Sequence, residues 1–244
     1  MAVLPSIPDA LEVILLTLGA GITMGIGAAL ASVEHLRSEW LEEELRHGVI
    51  AFGGGALLAA VALVLIPEGL QELTLLPACL AFIGGALAFM ALDVFLARRG
   101  TPASQLVAML SDFLPESLAL GALVASGSTA APLLALIIAL QNLPEGFNSF
   151  RELGHSTHYS SRLLIFLFFI ASLAGPVCGL IGFYLLSDLH TVIASVMLFA
   201  SGGILYLIFQ DIAPQARLER HWAPPLGAVL GFLLGLIGKV ISGA

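Results

Sequence analysis

Three carboxylates stand where a hydrocarbon environment should forbid them. Asp112, Glu116 and Glu145 lie inside long apolar runs that contain no Arg or Lys to neutralise them. A charge at mid-bilayer is costly, so an acid there calls for protons or a cation as its partner. Asp112 and Glu116 are four residues apart, as are Gln141 and Glu145, and positions i and i+4 share one helix face. Both pairs belong to a short repeat, SDFLPESL at 111–118 and LQNLPEGF at 140–147, in which Leu-Pro-Glu recurs after 29 residues. Pro115 and Pro144 give no N–H to the carbonyls of Ser111 and Leu140, which leaves further oxygens facing a neighbour or a cavity. Two antiparallel helices with these faces predict one oxygen-rich pocket near the membrane centre.

Other polar groups fall into weaker patterns. Ser111 beside Asp112, and Gln210 with Asp211 near the end of a later apolar run, are expected along the path to the pocket. Asp93 closes another run. His155 and His158 (HSTH) follow the second repeat in a polar loop, where a pair three apart suits transient metal handling at an inner mouth. Pro67 and Glu68 read as a kink whose acid reaches headgroups. Gly53–Gly55 and the Gly227/Gly231/Gly235 ladder read as close helix packing or a dimer seam. Cys79 and Cys178 form no ligand spacing and read as small core hydrophobes.

The elements that must position these residues are helices in a bilayer. Of 244 residues 59% are apolar and 11% charged, against roughly 45–50% and about 25% in a soluble domain. Mean hydropathy is +1.02. Apolar runs predict eight spans near 10–33, 48–67, 76–97, 103–125, 131–150, 163–187, 191–213 and 223–242, forming a single transmembrane domain over 1–244. Strand alternation is absent from the pattern, against a β-barrel. The longest connection, 34–47, reads as a helical extension or amphipathic linker. All eight arginines fall in alternate loops, and the one lysine, Lys239, lies on the other side. The positive-inside rule makes the arginine loops cytoplasmic and puts both termini outside. Spans one to three then oppose spans six to eight, as an inverted repeat requires, and IPEGLQE (66–72) echoes IAPQARLE (212–219).

These residues resemble the ZIP family of divalent metal transporters, in particular its bacterial branch. Gln141, Asn142, Leu143, Pro144, Glu145 and Gly146 match that family's QNxPEG motif. Asp112, Phe113, Leu114, Pro115, Glu116 and Ser117 occupy the positions of its HNxPEG motif in altered form. GGGALLAAVALVLIPE and GGILYLIFQDIAP are similar to its second and seventh spans, and ASLAGP (171–176) to its S-G-x-x-E-P. The resemblance implies an all-α fold of eight helices, three plus two plus three, with an inverted repeat around spans four and five. It implies metal ligands at Asp112, Glu116, Gln141, Asn142 and Glu145. Phe113 stands where the family has a ligating Asn, Gly175 where it has Glu, and Leu57 where it often has Met. One metal subsite is therefore expected to survive.

The expected function is movement of a divalent cation of the Zn, Mn or Fe class toward the cytoplasm, with the ion as substrate and no resident cofactor. The alternative is a ZIP-like pseudo-transporter that senses metal or serves a partner. HExxH is absent and no Ser/His pairing stands out, so an enzyme is not expected. No basic cluster suits nucleic acid. The expected partners are the metal ion, the lipid bilayer and a second copy in a homodimer. The expected location is the cell membrane, the inner membrane in a bacterium.

Overall fold

The computed structural model describes residues 7–33, 39–99, 103–186, 189–217 and 224–242, and among these there is no strand. The helices are α1 (Ile7–Val33), α2 (Glu39–Ala60), α3 (Ile66–Glu72), α4 (Leu75–Arg99), α5 (Ala103–Ala125), α6 (Ala131–Ser156), α7 (Ser161–Ser172), α8 (Ala174–Leu185), α9 (His190–Leu207), α10 (Ala213–Gln215) and α11 (Pro224–Ser242). A π-helical turn, Val61–Leu65, joins α2 to α3, and a second, Ile208–Ile212, joins α9 to α10. In each the following N–H reaches back five residues, Ile66 to Val61 O and Ala213 to Ile208 O. The cause is written two residues further on, where Pro67 and Pro214 cannot close the ordinary α-helical bond. Pro176 acts likewise between α7 and α8, where the Leu173 N–H turns back to Ile170 O at 3.1 Å.

Six helical stretches are long and apolar enough to cross a bilayer: Asp9–Val33, Glu44–Glu72, Leu75–Arg98, Ser161–Leu185, His190–Gln215 and Pro224–Ile241. The chain is an all-α, multi-pass membrane protein. Helices α5 and α6 are not among the six; in α6 the apolar run is diluted by Gln141, Asn142, Glu145 and Asn148. Large apolar side chains face outward along the periphery, with Leu75 79% and Ile241 81% exposed, as hydrocarbon surroundings permit. Cys79 is exposed on this surface and Cys178 half-buried, so neither is the core residue expected. The expected linker splits: 34–38 lies outside the described residues, and 39–47 is the start of α2.

Interhelical packing is set by glycines that let backbones touch, which is how helices associate in lipid. The main pairs are α1 with α6, α5 with α8, α2 with α11 and α4 with α9. A Cβ on Gly27 of α1 would collide with the Leu143 carbonyl of α6, and one on Gly182 of α8 with the Leu118 carbonyl of α5. Gly146 meets Met24 O as Gly121 meets Gly179 O. A shift of 155 residues carries Met24 and Gly27 onto Gly179 and Gly182, and a shift of 25 carries Leu118 and Gly121 onto Leu143 and Gly146. The remaining pairs repeat this. Gly55 packs on Ala228 O as Gly202 packs on Phe82 O, and Gly231 on Phe52 O as Gly85 on Phe199 O. Those contacts are related by shifts of 147 (α2 to α9) and 146 (α4 to α11). The 147-residue shift also superposes the two π turns. The glycines of α11 thus serve contact within the chain, with Gly227, Gly231 and Gly235 all against α2.

Candidate cation site

Helices α5 and α6 each carry a proline inside the helix, Pro115 and Pro144, one residue before the glutamate. Glu116 and Gln141 are fully buried, Asn142 is 1% exposed and Asp112 3%. Gln141 Nε2 donates to Glu116 Oε2 at 2.7 Å, and Asn142 Nδ2 donates to Ala20 O at 3.0 Å. Asp112, Glu116 and Glu145 lie within electrostatic reach of one another, and Asp211 within reach of Glu145.

The oxygens these groups leave over are the informative ones. Asp112 Oδ1, Glu116 Oε1, Gln141 Oε1, Asn142 Oδ1 and Glu145 Oε2 are all buried without a hydrogen-bond partner. Buried acceptors are almost always satisfied in folded proteins, so five orphans on two facing helix segments require an explanation. A cation would supply one for those oxygens that can be brought together around it, because it takes lone pairs from several donors. In the present arrangement, however, no three His, Cys, Asp or Glu side chains among the described residues are gathered closely enough to hold a metal.

A cavity of about 80 Å³ opens onto the cluster from one side. Its polar lining is Asp112, Glu145, Asn148, Ser149, Asp211 and Gln215. Glu116 and Gln141 stand behind this lining. Asn148 Nδ2 donates to Gln215 Oε1 at 3.2 Å, and Gln215 Nε2 donates to Asp211 Oδ1, so a polar bridge joins α6 to the second π turn. Asn148, Ser149, Gln215 and Glu152 were not singled out from sequence. The signal was present: Gln141, Glu145, Asn148 and Glu152 fall at i, i+4, i+7 and i+11, one continuous polar stripe along α6. At its end burial and the nearby Asp211 carboxylate push the Glu152 carboxyl above its usual range, while the Arg46 guanidinium opposes them.

Asp211 alone of the expected path residues lines the cavity. Ser111 Oγ is turned to Val107 O at 2.7 Å, and Gln210, His155 and His158 are exposed. Asp93 accepts from Tyr206 Oη at 3.0 Å. Glu68 is half-buried and accepts from Ser128 Oγ at 3.3 Å.

On the far side of Asp112 the neighbouring Phe113 is fully buried. Its Cζ would lie 2.8 Å from a Cβ on Gly21 and 2.6 Å from one on Gly175, so α1 and α8 offer the ring a slot that only glycines leave open. The shifts that relate the packing also show why the cavity is one-sided. Asp112, Glu145, Asn148, Asp211 and Ile212 correspond to Ile137, Leu120, Leu123, Val64 and Leu65, none more than 3% exposed. One half of the molecule has a polar cleft, and the equivalent positions of the other half are packed aliphatic side chains.

Compared with known proteins, the chain matches no family model and no curated protein.

Proposed function

We propose that this chain is a ZIP-like transporter that carries a divalent transition-metal cation of the Zn, Mn or Fe class through the membrane toward the cytoplasm. The observation that carries the reading is the set of orphan oxygens on Asp112, Glu116, Gln141 and Glu145, four buried acceptors beside an 80 Å³ cleft. Three carboxylates and an amide match the donors a dication needs on losing its water. Glu116 Oε1 and Gln141 Oε1 both stand without a partner, while the bond from Gln141 Nε2 holds the other Glu116 oxygen, Oε2. Eight spans follow if α5 and α6 also cross the bilayer, with the arginine loops cytoplasmic and both termini outside. The doubled packing supports an inverted repeat, α1 to α4 against α7 to α11, around α5 and α6 in a three-two-three plan, which is the architecture of alternating access. The cleft then faces the cytoplasm.

That no three acids among the described residues converge in this arrangement fits equally a ZIP-like chain that senses a metal or serves a partner without transporting it. Calorimetric titration of the detergent-purified protein with Mn²⁺ and Zn²⁺ tests the site. Saturable binding that is lost in Glu116→Gln is the expected result, and no binding of either ion overturns the reading.

A further inference from the structure

The two π turns occupy equivalent places in the fold, yet their surroundings differ. Pro67 supplies no N–H to Leu63 O, and Pro214 supplies none to Gln210 O. Away from water a carbonyl without a donor is costly, so each turn needs a partner from elsewhere. At the first turn the partner comes from α11, where Lys239 Nζ donates to Leu63 O at 2.7 Å. Lys239 is the chain's only lysine and lies three residues before the end of α11. Its long stem could carry the ammonium to the headgroups, so turning inward to a backbone oxygen is a specific arrangement rather than the default one.

The second turn cannot be held this way. The 146-residue shift that relates α4 to α11 puts Asp93 at the place of Lys239. An ionised carboxylate donates to no carbonyl, and Asp93 accepts from Tyr206 Oη instead. The second turn contributes Asp211 and Ile212 to the open cleft. The first contributes Val64 and Leu65, 1% and 0% exposed, to the closed half.

We infer that Lys239 is a positioning residue that latches the first π turn. While its ammonium holds Leu63 O, Val64 and Leu65 stay packed and that half of the molecule is shut; releasing the bond frees the turn to open it. The purpose of the latch rests on the transporter reading, but its test does not require an ion.

The full chain in lipid nanodiscs, with Cys79 and Cys178 replaced by Ala, carries Leu65→Cys as a reporter for a water-soluble maleimide. With Lys239 present, or as Lys239→Arg, which still donates, labelling is slow. In Lys239→Met it is expected to be roughly tenfold faster, the population change that follows from losing one charge-assisted hydrogen bond. Equal labelling in Lys239→Met and Lys239→Arg overturns the latch, as does a fall in thermal stability in Lys239→Met without faster labelling. If Leu65→Cys does not fold, Val64→Cys serves as the reporter. Failure of the transporter reading shows separately, as absence of ion binding, while the labelling contrast stands or falls by itself.

Discussion

Gln141 and Glu116 are joined across the two central helices by a 2.7 Å bond and are separated by 25 residues, the same shift that relates the packing of α5 to that of α6. The two side chains thus occupy equivalent positions and meet each other. The sequence repeat, however, runs at 29 residues, one helical turn away. Glu145 matches Glu116 in sequence but Leu120 in packing. This slip places the polar stripe of α6 in one half of the molecule and gives the other half aliphatic side chains.

Glu116→Gln and Glu145→Gln are each expected to weaken Mn²⁺ binding by on the order of 100-fold, about 3 kcal/mol, because on the proposed reading each removes an anionic ligand from a buried cluster. Glu68→Gln is expected to bind as wild type, since its partner Ser128 can donate equally to an amide oxygen. Titration of the three variants checks both halves of the statement.

Ligand chemistry predicts selectivity. The cluster offers oxygen only, and zinc gains more from nitrogen than manganese does. Asp112→His is therefore expected to raise the Zn²⁺ to Mn²⁺ affinity ratio, measured by competitive titration. An unchanged ratio would show that residue 112 is not a ligand.

Close packing makes a sharp contrast between neighbouring glycines. A Cβ on Gly84 meets nothing within 4 Å, whereas one on Gly85 collides with the Phe199 carbonyl. Gly84→Ala is expected to leave the melting temperature in detergent unchanged or higher, and Gly85→Ala to destabilise by about 1–3 kcal/mol.

Orientation is checked by Ser128→Cys and Ser156→Cys in a chain lacking Cys79 and Cys178. A membrane-impermeant thiol reagent is expected to label the first in intact cells and the second only after lysis. Labelling of Ser156→Cys in intact cells would invert the topology and the direction in which the cleft opens.

Much of this arrangement was legible in the residues because a membrane leaves few choices. Apolar runs bounded by arginines marked the helices, and acids without basic partners marked Asp112, Glu116 and Glu145. The i, i+4 pairing brought Gln141 and Glu145 to one face. What escaped was what depends on a second helix. Asn148 is unremarkable until Gln215 stands opposite it. The π turns were hidden for another reason. Pro67 read as a kink and Pro214 only as part of an echo of that segment, but a kink and a five-residue turn satisfy the same missing bond, and only the backbone distinguishes them. The doubled packing was legible only in part, since the glycines that carry it touch carbonyls rather than side chains.

The most direct test of the account is Mn²⁺ uptake into proteoliposomes loaded with a fluorescent chelator, comparing the wild-type chain with Glu145→Gln at equal reconstitution. The account predicts time-dependent, saturable accumulation by the wild type and a rate no higher than empty vesicles for the variant. Equal uptake by the two proteins would contradict it, and binding without uptake by the wild type would leave a metal sensor in place of a transporter.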